Sequence, residues 1–159
     1  MNSRLDTHAL DLKIPPVGLV MAFAVLMWLG TLCFPRLNFQ IPFQPMIALA
    51  FGFSGVVICA LGLFAFRRAK TTVNPTRPHA ASSLVRSGIY CRTRNPMYFG
   101  FLLILAGWAA FNANFLAIVL LPAFVLYMNR FQIMPEERAL ASIFGDDFKA
   151  YCAVVRRWI

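Results

Sequence analysis

The sequence predicts an all-α integral membrane protein with about four transmembrane helices, a hairpin of the third and fourth, and a short C-terminal helical tail. Its 159 residues are 60% hydrophobic and 13% charged, and the mean hydropathy of +0.67 is too high for a soluble domain of this size. The apolar residues also cluster in separate stretches of roughly membrane-spanning length. We therefore expect a single membrane domain over residues 1–159.

Four apolar stretches are candidates for the membrane helices. Crossing the hydrocarbon layer of ~30 Å takes roughly 20 helical residues. They cover residues 17–34, 46–66, 97–111 and 115–134. The first two, which lie in the segment 1–66, carry no charged side chain within their bounds. The third is shorter, and the fourth is full length. A polar turn at 112–114 separates the last two, which predicts a helical hairpin over 97–134.

The distribution of basic residues predicts the orientation. The loop 67–96 carries no acidic residue but seven basic ones, namely Arg67, Arg68, Lys70, Arg77, Arg86, Arg92 and Arg94, whereas the turn between the first two helices holds only Arg36. By the positive-inside rule this loop is cytoplasmic. Four crossings then place both termini and the tail, 135–159, in the cytoplasm, with the protein in the inner (plasma) membrane.

The net charge of +9 comes mostly from basic residues that flank the membrane segments, where anionic lipid headgroups are their ordinary partner. The bilayer is therefore an expected partner, and nucleic acid is not. A metal site is not expected either. Cys33, Cys59, Cys91 and Cys152 show no CxxC spacing, and His8 and His79 lie far apart in polar regions. Glycines at 52, 55 and 62 could serve packing within or between protomers, and the oligomeric state stays open.

The polar stretch "GIYCRTRNPMYFG", residues 88–100, leads into the third helix. Asn95 followed by Pro96 is a helix-start signal, because asparagine can cap the free amides and proline is favoured at the first helical position. Arg92 and Arg94 stand just before this helix end. Its free N–H groups carry partial positive charge, so the stretch is suited to a carboxylate or phosphate.

The same stretch carries Tyr90 and Tyr98, which add aromatic faces and hydroxyl groups, and Gly100, which would allow close approach to the helix. The alternative interpretation is an ordinary membrane anchor, since arginines and interfacial tyrosines commonly serve that purpose. The stretch alone does not decide between a binding site and an anchor.

The tail, "MPEERALASIFGDDFKAYCAVVRRWI", supplies acidic residues next to this stretch. Pro135 predicts a helix start with Glu136 and Glu137 in the first turn, where the helix dipole favours them, and Gly145 is placed to end that helix. A second short helix, from Asp146 to about Trp158, could lie on the membrane surface or on the bundle.

Both glutamates emerge directly from the fourth helix, the hairpin partner of the third. We therefore expect Glu136 and Glu137 to lie near Arg92, Arg94 and Tyr98 on one face of the membrane. Charges of both signs beside aromatic rings predict a pocket for a zwitterionic ligand.

These motifs, taken in order, resemble the C-terminal core of the isoprenylcysteine carboxyl methyltransferase and phospholipid methyltransferase superfamily of membrane enzymes. The family pattern runs Gly-x-Tyr, Arg-His-Pro-x-Tyr-x-Gly, a helical hairpin, Glu-Glu-x-x-Leu and Phe-Gly-x-x-Tyr/Phe-x-x-Tyr. It is matched over about residues 88–157, and "TTVNP" at 71–75 resembles a segment of bacterial members. The resemblance implies S-adenosylmethionine as cofactor and S-adenosylhomocysteine as product.

The resemblance also implies the site residues. The positions that would bind the cofactor are Gly88, Tyr90, Arg94, Asn95, Tyr98, Gly100, Glu136 and Glu137. The catalytic residue stays open, with Glu136, Glu137 and Tyr90 as candidates to assist proton removal. The sequence does not say which glutamate contacts which part of the cofactor.

Two departures from the family pattern concern the acceptor. Asn95 replaces the family's histidine, and Val154 stands where carboxyl methyltransferases tend to carry an arginine, with Arg156 and Arg157 close behind. The acceptor therefore stays open among a prenylated cysteine carboxylate, a phosphatidylethanolamine amine and another amphiphilic or apolar molecule, including a thiol. A non-catalytic ligand-binding or scaffold relative is the alternative; a transporter is disfavoured, because the helices contain no acidic residue.

Overall fold

The computed structural model of the protein describes residues 12–69 and 83–159, and their regular secondary structure is entirely helical. In chain order the helices are α1 (Pro16–Cys33), α2 (Gln44–Arg68), α3 (Pro96–Asn112), α4 (Phe115–Tyr127), a π-helix (Met128–Ile133) and α5 (Met134–Val154). Short 3-10 turns occur at Pro35–Leu37 and Gly88–Cys91. The predicted all-α class is confirmed. His8, Lys70, Arg77, His79 and the segment 71–75 lie outside the described residues.

Three of the helical runs are long and apolar enough to cross a membrane: α1, α2 and the continuous run Phe115–Val154. At 17 residues α3 is apolar but shorter. Large apolar side chains on the outer face of α2, such as Met46, Val56 and Phe64, are exposed, as expected of a surface that contacts lipid. The molecule is a membrane protein, and the count of four crossings stays a prediction.

One end of the bundle, called here the turn end, is closed by hydrogen bonds between two connections. The Phe39 N–H donates to the Ala113 carbonyl oxygen at 2.8 Å, and Asn114 Nδ2 donates to Asn38 Oδ1 at 2.6 Å. Asn114 also caps α4 by accepting from the Leu116 N–H at 2.9 Å. The α3–α4 turn is thereby held against the connection between α1 and α2.

The opposite end, called here the basic end, gathers the starts of α1 and α3, the end of α2 and the π-helix. The Leu12 N–H donates to the Phe131 carbonyl oxygen at 3.1 Å, and Gln132 Nε2 donates to the Ile14 carbonyl oxygen at 2.6 Å. Arg67 and Arg68 lie in the last turn of α2 at the same end. The charged residues of the predicted site therefore share one end of the bundle.

Glycine allows α2 and α3 to pack with their backbones in close contact. A Cβ atom on Gly55 would lie 2.5 Å from the Gly100 carbonyl oxygen, and one on Gly107 would lie 2.7 Å from the Ala48 carbonyl oxygen. Backbone atoms cannot move aside as a side chain can, so no larger residue fits at Gly55 without separating the helices. On its other sides α3 packs against α1 and α4, with Met27, Leu105 and Phe124 fully buried.

The tail differs from the prediction in its connection. The chain does not leave the membrane helix and restart at Pro135; it continues from α4 through the π-helix into α5. Pro135 is compatible with this because it lies in the first turn of α5. Gly145 interrupts α5 with φ +50° and ψ −121°, and the helix ends at Val154 instead of near Trp158.

The sequence left open whether the last part of α5 lies on the membrane surface or on the protein, and its apolar side packs on the protein, against the segment that precedes α3. Phe148, Tyr151 and Val155 are buried together, and Leu84 packs against them. The tail is therefore a part of the folded basic end.

We expect Gly55→Ala to lower the free energy of unfolding by about 1–3 kcal/mol, because its methyl group would press on the backbone of α3. Gly52→Ala, on the same helix, is the matched control, since nothing lies within 4 Å of the added methyl group. Thermal unfolding in detergent, followed by circular dichroism, measures both. Equal melting temperatures for the two variants would contradict the close contact.

Candidate functional site

The chain enters α3 through the turn Gly88–Cys91, which is anchored by Tyr90. Its ring is buried and packs edge-on against Phe66, with centroids 5.3 Å apart. Its carbonyl oxygen accepts a hydrogen bond of 2.7 Å from the Tyr151 hydroxyl group, which itself is buried. Tyr90 therefore connects α2 with the last turn of α5. Gly88, with φ +64°, lies exposed at the start of this turn.

Burial, and after it the charge of Glu136, raises the pKa of the Tyr90 hydroxyl group above its usual range. A phenol with a raised pKa stays protonated at neutral pH, where it can donate a hydrogen bond but cannot remove a proton. This argues against Tyr90 as a base and leaves it a positioning role.

The predicted helix start is confirmed, because Asn95 directly precedes the first residue of α3. The predicted cap is wrong, because the Asn95 side chain makes no capping hydrogen bond. Its Nδ2 donates instead to the Arg157 carbonyl oxygen at 3.0 Å, and Thr93 Oγ1 donates to the same oxygen at 3.2 Å. The Arg94 N–H donates to the Arg156 carbonyl oxygen at 3.0 Å. The C-terminal segment thus lies along residues 93–95 and is held there by three of their donors.

The two glutamates have different partners. Glu137 contacts two guanidinium groups: Arg94 Nη2 lies 3.3 Å from Oε1, and Arg157 binds both carboxylate oxygens, with Nη2 2.6 Å from Oε2 and Nε 3.2 Å from Oε1. Glu136 accepts a hydrogen bond of 3.0 Å from the Tyr98 hydroxyl group. In the described part of the chain, no ion pair includes Glu136.

Arg94 retains an unused donor. Its side chain is only 15% exposed, and its Nε atom is buried without a hydrogen-bond partner. A buried guanidinium donor that lacks an acceptor is costly, so it marks a place where an acceptor is expected. Together with Glu136, it provides one cationic donor and one carboxylate, which complement a zwitterion.

The predicted site residues do not all meet at one point. The structure brings together Arg94, Tyr98, Glu136 and Glu137, and Asn95 adjoins them through the Arg157 carbonyl oxygen. Gly100 instead faces α2, where an added Cβ would collide with Cys59 Sγ. Gly88 and Arg92 are exposed, and among the ion pairs of the described residues none includes Arg92.

Three participants at the basic end were not predicted as site residues. Arg157 closes the charge cluster, Thr93 joins the C-terminal segment to α3, and Trp158 Nε1 donates to Asn129 Oδ1 of the π-helix at 3.0 Å. The pair Arg156–Arg157 was the only signal in the sequence, and it does not tell which arginine turns inward. Arg156 is exposed, whereas Arg157 is partly buried.

Comparison with known proteins identifies a family and a relative by sequence. The sequence model of the Phospholipid methyltransferase family matches residues 43–147, which include α2, α3, α4 and the start of α5 with both glutamates. A protein of Haemophilus influenzae described as uncharacterized is 44% identical over 63 residues, which is 40% of this chain and the full length of that protein. No solved structure matches the chain.

We expect Glu137→Gln to lower the free energy of unfolding by about 2 kcal/mol, because two partly buried guanidinium groups lose their counter-charge. Asp146→Asn is the matched control, since the Asp146–Lys149 pair is exposed on both sides and should contribute little. Thermal unfolding of the two variants in the same detergent checks this. An Asp146→Asn variant as unstable as Glu137→Gln would show that charge removal from α5 acts in a nonspecific manner.

Proposed function

Since the chain belongs to the phospholipid methyltransferase family, we propose that it is a membrane methyltransferase that transfers the methyl group of S-adenosylmethionine to a lipid-like or apolar acceptor. The observation that carries the proposal is the buried, unused Nε donor of Arg94, whose guanidinium contacts Glu137, the residue that follows the half-buried Glu136. The amino acid part of the cofactor is a zwitterion and fits such a pair.

Within this proposal Arg94 Nε and the start of α3 bind the cofactor's carboxylate, since both present N–H donors with positive charge. Glu136 binds the ammonium group of the cofactor, and the Tyr98 hydroxyl group fixes the orientation of the Glu136 carboxylate. Glu137 is a positioning residue, because it holds the Arg94 guanidinium in place.

The sulfonium cofactor supplies an electrophilic methyl group, so the protein mainly has to align the acceptor and exclude water. Held by Arg94, Glu136 and the start of α3, the cofactor would supply a methyl group to the acceptor and would leave as the neutral thioether. A carboxylate or thiolate acceptor has no proton to lose. An amine acceptor loses its proton to interfacial water, because Glu137 is neutralised by two guanidinium groups and Glu136 is engaged in binding.

Among the acceptors, we favour the amine of a phospholipid such as phosphatidylethanolamine over a prenylated cysteine carboxylate. A carboxylate acceptor calls for a cation, and the position where the resemblance implies an arginine is Val154, which is 84% exposed. The neighbouring Arg157 is bound to Glu137. The observation thus supports an acceptor that does not need an additional guanidinium.

We further propose four crossings, with the basic end and both termini in the cytoplasm of the inner membrane. The arginines of the basic end support this orientation, and the apolar composition of α3 supports its counting as a crossing. The cofactor would then reach the site from the cytoplasm, and the acceptor from the bilayer.

The orientation can be tested with two of the native cysteines. Cys33 ends α1 at the turn end and Cys91 lies at the basic end, and both are exposed. In single-cysteine variants, we expect a membrane-impermeant maleimide to label Cys33 in intact cells and Cys91 only after permeabilisation. Labelling of Cys91 in intact cells would reverse the orientation.

The cofactor site can be tested with a pair of ligands. We expect calorimetry to give at least about tenfold weaker binding of S-adenosylhomocysteine to Glu136→Gln and to Arg94→Lys, because the first loses a charge and the second loses Nε while it keeps a cation beside Glu137. Binding of 5′-methylthioadenosine, which lacks both the carboxylate and the ammonium group, should be equal in both variants and the wild type.

Asp147→Asn is the matched control, since that exposed carboxylate pairs with Arg86 away from the cluster. Unchanged S-adenosylhomocysteine affinity in both site variants would overturn the residue assignment. No binding of S-adenosylhomocysteine by a folded wild type would overturn the assignment of the cofactor. Binding without transfer of a radiolabelled methyl group to any lipid fraction would favour the non-catalytic relative.

A further inference from the structure

A large apolar groove lies away from the charge cluster, in the part of the bundle nearer the turn end. Its volume is about 900 Å³, and it is bounded by α1 on one side and α2 on the other, with α3 as its floor. The larger lining side chains are Met21 and Trp28 of α1, Leu49 and Phe53 of α2, and Leu105 and Trp108 of α3. Its size lies within the range of small-molecule sites.

The groove exists because α1 and α2 each pack on α3 but share no substantial interface within the described residues. The Trp108 indole bridges to α1 by donating from Nε1 to the Ala24 carbonyl oxygen at 2.9 Å, so its polar atom is satisfied at the floor. Gly52 lines the α2 wall and leaves open space where a side chain would project. Since both walls belong to membrane-length helices, the groove opens sideways towards lipid.

The groove is aligned with the candidate site along one side of α3. Tyr98, whose hydroxyl group contacts Glu136, belongs to the same buried cluster as Leu105, which lines the groove, and Phe101 packs against that cluster. Leu105 lies nine residues after Pro96, so it is ~13 Å deeper along the helix axis at 1.5 Å per residue. An amphiphile with its polar group at the basic end reaches the groove only through a long chain.

We propose that the groove binds one long hydrocarbon chain, that of an amphiphile whose polar group lies at the basic end. That this amphiphile is the methyl acceptor rests on the function proposed above. A second protomer is the weaker occupant, because apolar helix faces gain no hydrophobic free energy by leaving lipid and need complementary surfaces. A flexible chain fills a concave groove of this kind without such a match.

The groove can be tested by tryptophan quenching, because two of the three tryptophans line it. The protein is placed in phosphatidylcholine nanodiscs that contain increasing amounts of phosphatidylethanolamine brominated at mid-chain. We expect quenching in the wild type to saturate at a low mole fraction of the brominated lipid. Gly52→Leu should require about tenfold more, because its side chain occupies space that the lipid chain would otherwise contact.

Gly18→Leu is the matched control, since Gly18 lies on α1 outside the groove and also has nothing within 4 Å of an added Cβ. It should quench as the wild type does. Quenching in proportion to mole fraction, and equal in all three proteins, would mean ordinary contact with surrounding lipid and would overturn the proposal. Dimers in the wild type that Gly52→Leu abolishes, without saturable quenching, would assign the groove to a second protomer and overturn it as well.

The same proteins are titrated with S-adenosylhomocysteine, which separates this proposal from the proposed function. Gly52→Leu should bind it as tightly as the wild type, because the groove lies away from the charge cluster. Saturable quenching without any S-adenosylhomocysteine binding would support the hydrocarbon site and contradict the proposed methyltransferase function. S-adenosylhomocysteine binding with non-saturable quenching would support the proposed function and contradict the hydrocarbon site.

Discussion

The arrangement of the basic end depends on the charge balance around Glu137. One carboxylate, in the first turn of α5, holds a guanidinium from the start of α3 and another from the C-terminal segment. Removing the shared carboxylate would cost about 2 kcal/mol at this partial burial, so the three segments are held together by one cluster. While Glu137 takes up this role, Glu136 accepts a hydrogen bond from Tyr98 and the Nε atom of Arg94 has no acceptor.

The features that the sequence predicts well are those that depend on length, composition and chain connectivity. The helices follow from apolar stretches that have to satisfy their backbone groups internally. The meeting of Arg94 and Tyr98 with the two glutamates follows from connectivity, since α4 returns to the end where α3 begins. Neither inference requires knowledge of a particular side-chain contact.

The features that the sequence could not predict depend on contacts between distant segments. Asn95 has the local pattern of a cap, but the C-terminal carbonyl group at Arg157 competes for its amide. Gly100 could serve a ligand or a neighbouring helix, and only the position of Gly55 on α2 decides for the helix. The inward turn of Arg157, unlike Arg156, is likewise a result of where Glu137 lies.

The π-helix at Met128–Ile133 has a consequence for the register of everything that follows it. An α-helix turns by about 100° per residue, so a segment that is wound less tightly changes the direction in which all later side chains point. With an ordinary α-helical turn in its place, Glu136 and Glu137 would be rotated away from α3. Substitutions that return Met128–Ile133 to an ordinary α-helix without changing the chain length would therefore alter no carboxylate and yet turn both away from α3.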